Sequence, residues 1–447
     1  MSQPLTNLTA TGLVLEPSLP ICQRDLPLDR YDEAFRPYAE EYLALPDRTP
    51  EQVLPWLDRY VEPAIDHFGD SLLLLAHFYM GGEIVKLVER YGGAVADSYV
   101  LAMQARMQPT KRVIVESAVH FMAETVAILA ADDQAVWITN PRAGCTMEMM
   151  AKDRFVDPIA AQLADRYSDS IATVAYMNTS GHLKALAGRT GGAVCTSSNA
   201  HHVTASIMKT ADKIFFVPDE HLGTNTAHRL GLTPAQCVVL PDPRSMPRDF
   251  ELSDIDGGIE RLDQAKMIVW GGFCGVHTVF TTQQIAWWHE QGWEVHVHPE
   301  CPLEVVQAAD GSGSTKYLWS LISQAPAGSK IAIGTEGHFV RNAIDHAASR
   351  GVEVRHLADV PGSVAAGCGC ATMSRNDPPH LAGMLDLLRR GEAPEINRVL
   401  AGDCINETTG MRTRLSDTAR AVLQAEATVA LERMIDITEA AAEASQR

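Results

Sequence analysis

The stretch LLLLAHFYMGGEIVKLVERYG at residues 72–92 sets a pattern that most of the chain repeats. A short apolar run ends in the polar residues His77 and Tyr79, and an amphipathic helical run follows two glycines. Short apolar runs that alternate with helical segments indicate parallel β-strands joined by helices. This stretch therefore predicts an α/β fold.

Further apolar runs along the chain are predicted to be short buried strands, and helical runs such as FMAETVAILAADD and FVRNAIDHAASRG lie between them. The predicted strands are VIVESAVHF (113–121), AVWITN (135–140), IATVAYMN (171–178), GAVCTSS (192–198), KIFFVPD (213–219), MIVWGGF (267–273), EVHVHPEC (294–301) and KIAIGTE (330–336). Residues 1–64 differ, because they are acidic and rich in proline. They are predicted to form an N-terminal extension with little chemistry of its own.

The chain also repeats on a coarser scale, in three blocks that each close on a cysteine. The blocks run from His77 to Cys145, from Tyr176 to Cys274 and from His298 to Cys370. They predict three similar α/β/α domains with short parallel sheets around a pseudo-threefold axis. Because open α/β sheets bind ligands beyond the carboxyl ends of their strands, we expect the active site at the central junction.

These blocks give a division of the whole chain. The predicted parts are an N-terminal extension (1–64), a first α/β domain (65–160), a second (161–272), a third (273–385) and a C-terminal helical segment (386–447).

The charge and hydropathy of the chain exclude several classes of function. Among its 447 residues 37 are basic and 56 are acidic, which gives a formal net charge of −19. An acidic surface disfavours nucleic acid and anionic lipid as partners. No apolar run reaches the roughly 18 residues of a membrane span, and the N-terminus lacks the pattern of a secretory signal. The sequence therefore predicts a cytoplasmic protein without a membrane segment.

Nine cysteines are too few for a disulfide-built fold, and no CxxC pair is present. Cys145, Cys274 and Cys370 each lie in a glycine-containing turn. A single free cysteine is most often a buried small hydrophobe, but equivalent positions in three blocks favour metal binding. Three thiolates can hold a [4Fe–4S] cluster and leave one iron open as a Lewis acid. Zinc with an open position is the competing metal, and spacing alone does not exclude it.

Polar residues two apart stand at three predicted strand ends, where both side chains of a pair can face one cavity. The pairs are His77 with Tyr79, Tyr176 with Asn178, and His298 with Glu300. A carboxylate near a Lewis-acidic iron suits a general base, whereas a phenol and an amide suit the binding of a carboxylate. The alternatives are a buried core histidine at His77, a strand cap at His298 and a solvated Glu300.

Hydroxyl side chains also lie at predicted helix starts, where backbone N–H groups bind carboxylate or phosphate. They are Ser197, Ser314 and Thr315, and Asp97 with Ser98 forms a further turn that could contact a substrate. The more common use of such residues at these positions is an ordinary helix cap.

Twelve motifs stand in one order between about residues 70 and 375, and ALERMID follows near the C-terminus. The motifs are AHFY with GGE, GG.VADS, FMAET, AGCTM, YMNTS, CTSSNA, F.PDEHLG, W.G.C..H, HPEC, D..GST, IGTE and C..M. No single motif is specific, but the ordered series resembles the quinolinate synthase (NadA) family. The resemblance implies an enzyme of NAD biosynthesis that condenses iminoaspartate with dihydroxyacetone phosphate to quinolinate, with loss of phosphate and two waters.

The resemblance further implies one [4Fe–4S] cluster held by Cys145, Cys274 and Cys370. Cys370 is preferred to Cys368 because, as in CATM, the family's third cysteine precedes a methionine by three residues. The implied catalytic residues are Glu300, Tyr79, His77 and His298, and the implied substrate-binding residues are His77, Asp97, Ser98, Tyr176, Asn178, Ser197, His298, Glu300, Ser314 and Thr315. The resemblance gives no firm role to His277 or Glu336.

The expected partners are the two small substrates and an enzyme that supplies iminoaspartate, either L-aspartate oxidase or aspartate dehydrogenase, and the expected assembly is a monomer or homodimer.

Two other functions stay open. Another [4Fe–4S]-dependent hydro-lyase would share the open iron but not the ordered motifs. A non-catalytic iron–sulfur sensor would keep the cysteines but would not need His77, Tyr79, His298 and Glu300, and all four are present. The absence of CxxxCxxC excludes a radical enzyme of the S-adenosylmethionine type.

Overall fold

The computed structural model describes residues 26–363, 369–406 and 411–445. Cys368, the alternative to Cys370 as the third ligand, lies outside these ranges. So does the first part of the predicted N-terminal extension.

Most strands are short, and they alternate with helices along the chain. They are β1 (Leu72–His77), β2 (Ala94–Ala96), β3 (Val113–Ser117), β4 (Ala135–Ile138), β5 (Ile171–Tyr176), β6 (Ala193–Cys195), β7 (Lys213–Val217), β8 (Cys237–Val239), β9 (Met267–Val269), β10 (Glu294–Val297), β11 (Gly311–Ser312), β12 (Lys330–Gly334), β13 (Glu353–His356), β14 (Cys404–Ile405) and β15 (Arg412–Thr413).

The α-helices vary from one turn to eight turns in length. They are α1 (Arg36–Leu43), α2 (Pro50–Phe68), α3 (Gly82–Arg90), α4 (Ser98–Met107), α5 (His120–Leu129), α6 (Thr146–Met150), α7 (Asp153–Tyr167), α8 (Gly181–Arg189), α9 (Ala200–Ile207), α10 (Glu220–Arg229), α11 (Gly258–Gln264), α12 (Thr282–Glu290), α13 (Leu303–Ala308), α14 (Thr315–Gln324), α15 (Gly337–Ala348), α16 (Pro378–Arg390) and α17 (Asp417–Ser445).

The chain forms two compact units. Unit 1 comprises Met1–Cys145 and Trp319–Arg414, and unit 2 comprises Thr146–Leu318 and Leu415–Arg447. The predicted α/β class is confirmed, with short parallel sheets and many helices. The division into three domains, the pseudo-threefold axis and the central active site stay predictions.

Unit 1 contains a four-stranded parallel sheet with strand order β2-β1-β3-β4. All six residues of β1 are buried, which explains why this strand reads as a continuous apolar run. Leu73, Leu75, Ile114, Val136 and Ile138 pack in one cluster with apolar residues of α4 and α5. Apolar side chains fill the face of the sheet that packs on the helices, and polar side chains such as His77 lie at the carboxyl ends of the strands.

Unit 2 contains a five-stranded parallel sheet with strand order β6-β5-β7-β9-β8. Its β5 is also buried throughout. Further parallel pairs are β10 with β11 in unit 2 and β12 with β13 in unit 1, and β14 pairs antiparallel with β15. Consecutive parallel strands are joined through helices, as the alternation in the sequence predicts.

Every strand predicted from an apolar run is present, whereas β2, β8, β11, β13, β14 and β15 were not predicted. β2 and β8 have three residues each, of which only one is buried, so they carry too little apolar pattern to be recognised. The equally short β6 was recognised because all three of its residues are buried.

The long C-terminal helix α17 packs on α8 in unit 2, and Gly188 is the closest point of this contact. A Cβ at Gly188 would lie 2.0 Å from the carbonyl oxygen of Glu426. Arg433 of α17 also donates a hydrogen bond to the carbonyl of Gly192. Glycine at position 188 therefore lets the two helix backbones approach each other.

We expect Gly188→Val to destabilise unit 2 by about 2 kcal/mol or more, because the added carbons force α17 away from α8. The measurement is denaturant unfolding followed by circular dichroism. The matched control is Arg189→Ala, which removes a partly exposed ion pair to the same Glu426 at 2.6 Å and is expected to cost less than about 1 kcal/mol. Equal effects of the two substitutions would contradict the packing argument.

Candidate functional site

Three segments of unit 2 bring polar side chains to one carboxylate, that of Glu300. Tyr176, the last residue of β5, donates its hydroxyl to Glu300 Oε1 at 2.5 Å. His277 Nδ1 lies 2.8 Å from Glu300 Oε2, and His298 Nδ1 lies 3.8 Å from the same oxygen. The rings of His277 and His298 stack with centroids 4.6 Å apart. Tyr176, from one predicted pair, therefore contacts Glu300 of another predicted pair, His298 with Glu300.

Burial decides the chemistry of this group. Glu300, His277 and His298 are at most 3% exposed. Burial alone would raise the pKa of Glu300, but the charges of His298 and His277, with the hydrogen bonds from His277 and Tyr176, hold it well below its usual value. Glu300 is thus held as a carboxylate within reach of two imidazoles and a phenol, an arrangement that can accept, hold and pass on protons.

Cys274 belongs to the same cluster. The ligand atoms of Cys274, His277 and Glu300 all lie within 4.8 Å of one another. A thiolate, an imidazole and a carboxylate are the donor types that hold zinc or iron. The chemistry of these donors therefore fits a metal at Cys274, and His277, which had no firm role in the sequence, is one of the possible ligands.

Helix α10 supports both sides of this cluster, and neither contact was predicted. Its N-cap Asp219 is fully buried and accepts a hydrogen bond from Leu222 N, while the backbone N–H of Cys274 also lies against the carboxylate. Burial and the neighbouring charge of Glu300 raise the pKa of Asp219 well above its usual value. The Cys274 turn is thus fixed by the start of α10.

Asn225, one turn and a half further along α10, holds the turn that carries Glu300. Its amide nitrogen donates to the carbonyls of Pro299 at 2.8 Å and Cys301 at 2.9 Å. These two carbonyls flank Glu300 on either side. Asn225 therefore fixes the backbone from which the Glu300 side chain projects.

Unit 1 contains a second group of predicted residues, at the end of β1. His77 Nδ1 accepts the backbone N–H of Tyr79 at 3.2 Å, and their rings meet edge to face at 4.6 Å. The Tyr79 hydroxyl lies 3.1 Å from Thr335 Oγ1. His77 is 3% exposed, so it is buried, as the alternative of a core histidine requires. It nevertheless contacts the phenol ring of Tyr79, its partner in the predicted pair.

Helix α15 repeats in unit 1 the two contacts that α10 makes in unit 2. Its N-cap Glu336 is fully buried and accepts the backbone N–H of Cys370 at 2.8 Å. Six residues later Asn342 donates to the carbonyls of Phe78 at 3.4 Å and Met80 at 3.1 Å, which flank Tyr79. Asp219 and Asn225 are also six residues apart. The signal that sequence analysis missed is thus an acidic N-cap followed after six residues by asparagine.

The two cysteines of unit 1 lie on loops that contact each other. The Cys145 loop (residues 139–145) and the Cys370 loop (residues 369–377) are joined by Asn140 Nδ2, which donates to the Arg375 carbonyl at 2.8 Å, and by Arg375, which donates to the Arg142 carbonyl at 2.5 Å. Cys145 and Cys370 are both partly buried. Burial raises the pKa of the Cys370 thiol, because the charged thiolate is less stable away from water. A positively charged partner would stabilise the thiolate.

The remaining predicted residues lie at helix starts and strand ends. Asp97 is the N-cap of α4 and accepts Val100 N at 3.0 Å, so the helix-cap alternative is confirmed there; Ser98 begins the same helix. Asn178 follows β5, and its Oδ1 is buried without a hydrogen-bond partner among the described residues. The other three are the half-buried Ser197, before α9, and the buried Ser314 and Thr315, at the start of α14.

The buried Cys274–His277–Glu300 group, with Tyr176 and His298 beside it, fits an α/β enzyme with a metal site. Within the described ranges, no helix combines the length and apolarity needed to cross a membrane. These features define the class, and comparison with known proteins defines the family.

The family model described as Quinolinate synthetase A protein matches residues 66–407. A quinolinate synthase of Corynebacterium glutamicum is 36% identical over 92% of this chain and 97% of its own length. Those of Streptomyces coelicolor (36% identical; 81% of this chain, 88% of its own) and Geobacillus kaustophilus (38% identical; 75% and 85%) are similar. The chain belongs to the quinolinate synthase family, whose members are enzymes of NAD biosynthesis.

We expect Asn225→Asp to lower the turnover of the family's reaction by about tenfold to a hundredfold, because a carboxylate facing two carbonyls releases the turn and displaces Glu300. The measurement is kcat and KM in protein with verified metal content. Thr224→Ala, on the same helix, removes only a bond to the His221 carbonyl of α10 itself and is the control. Normal kcat in Asn225→Asp would show that Glu300 does not depend on this contact.

Proposed function

We propose that the chain condenses iminoaspartate with dihydroxyacetone phosphate to quinolinate and releases phosphate and two waters. The observation that carries this proposal is the family match over residues 66–407, which includes every residue proposed for the site. The buried Tyr176–Glu300–His277 cluster supports it, since the condensation and the two dehydrations each require protons to be moved at a fixed place.

We propose that Cys145, Cys274 and Cys370 hold a [4Fe–4S] cluster. One thiol lies after a strand of each predicted block, and three protein ligands leave one iron without a protein ligand. When bound, the cluster supplies a Lewis acid for a substrate oxygen. The donor set beside Cys274 supports a metal there, although the Cys274–His277–Glu300 group would also suit a single zinc ion.

Glu300 is proposed as the base for tautomerisation and dehydration, with His298 and His277 to stabilise its charge. The hydrogen bond from Tyr176 orients the Glu300 carboxylate. His77 and Tyr79 are proposed to hold and protonate the triose, because an imidazole and a phenol ring meet edge to face at the end of β1.

Substrate binding is proposed for residues that present an amide, a hydroxyl or a helix start. Asn178 supports this most directly, because its amide oxygen lacks a partner among the described residues. A buried acceptor without a partner favours a ligand that donates a hydrogen bond, such as an imine or a hydroxyl. The other proposed substrate-binding residues are His77, Asp97, Ser98, Tyr176, Ser197, His298, Glu300, Ser314 and Thr315.

The proposed reaction also defines its surroundings in metabolism. Iminoaspartate is an oxidation product of aspartate, so we propose functional coupling to L-aspartate oxidase or aspartate dehydrogenase. We propose a cytoplasmic location, where thiols stay reduced, and a monomer or homodimer without nucleic-acid or membrane partners.

We expect anaerobically purified protein to contain about four irons and matching sulfide per chain and to form quinolinate from the two substrates. Cys145→Ser, Cys274→Ser and Cys370→Ser are each expected to lose the cluster and the activity. Cys237→Ser, at the edge strand β8, is the control and is expected to keep both. Stoichiometric zinc without sulfide after anaerobic expression with iron would contradict the proposed cofactor, and a loaded cluster without quinolinate would contradict the reaction.

We expect Glu300→Gln to keep the cluster spectrum and to reduce turnover by at least about a hundredfold, since the amide retains the size of the side chain but removes the base. The measurement is single-turnover kinetics, with the accumulated species identified after quenching. Tyr79→Phe is expected to slow an earlier step, in which the triose is bound. Near-normal turnover in Glu300→Gln with verified iron would place the base elsewhere; Glu336 is poorly suited, because it caps α15 and binds Cys370 N.

A further inference from the structure

The N-terminal segment (residues 26–65) precedes the part of the chain that the family model matches. It contains α1 and most of α2, and its sequence predicts that it has little chemistry of its own. In unit 1 it packs on α16 through Tyr31, Phe35 and Tyr38, which are at most 6% exposed. Its contacts reach beyond α16 to the two cysteine loops of unit 1.

The first contact is made by Tyr31 at the end of the Cys370 loop. The Tyr31 hydroxyl donates to the carboxylate of Asp377, which is the N-cap of α16. The ring of His380 stacks on Tyr31 at 4.9 Å, and its Nδ1 lies 2.6 Å from Asp377 Oδ1. All three side chains are buried. A tyrosine from the N-terminal segment therefore fixes the residue at which the Cys370 loop becomes α16.

The path from Asp377 back to Cys370 is short and closed by hydrogen bonds. The backbone N–H and the hydroxyl of Ser374 both donate to the carbonyl of Cys370 at 2.9 Å. Asn376 donates to the Ala118 carbonyl at 2.8 Å and accepts the Thr139 hydroxyl at 2.7 Å. Asp377 and Cys370 are thus joined through one compact, hydrogen-bonded turn.

The second contact is made by the next residue, Asp32. Its carboxylate lies 2.7 Å from an Arg142 guanidinium nitrogen, three residues before Cys145. The carbonyl of the same Arg142 accepts the hydrogen bond from Arg375 that joins the two loops. Both side chains of the ion pair are about a third or more exposed, so solvent weakens it, and Tyr31 makes the stronger contact.

We infer that Tyr31 and Asp32 are positioning residues for the thiols of Cys145 and Cys370, which they reach through Asp377 and Arg142. The importance of these thiols as cluster ligands rests on the proposed function. A site that holds a metal cluster needs its ligands fixed before the metal arrives, and adjacent residues of one docked segment fix both loops.

The test compares the full-length chain with Tyr31→Phe, Asp32→Asn and the double variant. In metal-free protein, alkylation of individual cysteines by iodoacetamide is followed by mass spectrometry. In anaerobically loaded protein, loss of iron to a chelator is followed from the cluster absorbance. We expect the double variant to label Cys145 and Cys370 at least about threefold faster and to lose iron faster by a similar factor, with Cys274 and Cys237 unchanged.

Tyr38→Phe is the matched control, because it removes a tyrosine hydrogen bond of 2.7 Å to Asp386, on the same α16 but distant in sequence from the loops. It is expected to lower the melting temperature about as much as Tyr31→Phe while labelling of Cys145 and Cys370 stays at the wild-type rate. Equal acceleration in Tyr38→Phe, or wild-type labelling in the double variant, overturns the inference. Labelling needs no cluster, so absence of iron in wild-type protein contradicts only the proposed cofactor.

Discussion

The carboxylate of Glu300 is 3% exposed, so it has exchanged nearly all its water for protein groups. An ionised carboxylate is very costly to bury unless it is paired and hydrogen-bonded. Here Tyr176 comes from the end of β5, His277 follows the Cys274 turn after β9, and His298 follows β10. These separate segments of unit 2 must all be in place for the charge to be stable. The folding of the site is therefore coupled to its ionisation, and a candidate base is preorganised before substrate arrives.

A second constraint is that each cysteine loop must be held at a fixed position relative to the turn that carries the acid–base side chain. Helices α10 and α15 each meet it with an acidic N-cap against a cysteine N–H, and with an asparagine six residues later that clamps a turn. Because one rigid helix makes both contacts, the thiol and the acid–base side chain are held by a single element. Within each unit, this repeated pair of contacts links the two kinds of residue, acid–base side chain and cysteine, that recur along the sequence.

Helix α5 departs from the repeat. Its N-cap is Val119, which has no polar side chain, and Thr125 stands six residues later and donates to the Phe121 carbonyl of its own helix. The Cys145 loop is held instead by the His120 N–H, which donates to the Ala143 carbonyl, and by the contacts of Arg142. The place where the helix supplies no acidic cap is thus the place where the N-terminal segment, through Asp32, supplies a charge.

What the sequence could predict follows from the range of each interaction. β1 and β5 were predictable because six consecutive buried residues leave an apolar run, whereas the three residues of β2 do not. The polar pairs at strand ends were predictable because alternation along a strand is local. Asn225 was not, because the carbonyls it holds are 74 and 76 residues away, and the contact of Tyr31 with Asp377 spans 346 residues. Composition and periodicity contain no information on such contacts.

Asn178 shows how the remaining polar groups of unit 2 relate to function. Its neighbours are fixed, since Tyr176 is bonded to Glu300, and the fully buried Lys184 donates to the Thr179 carbonyl. Between them, Asn178 Oδ1 is buried without a partner among the described residues, which costs about 1–3 kcal/mol relative to a satisfied group. A flexible loop would turn such an atom towards water, but this one is held on both sides. The free energy lost on folding is recovered when a ligand donates a hydrogen bond there, so rigidity and incomplete hydrogen bonding together favour a binding role for this residue.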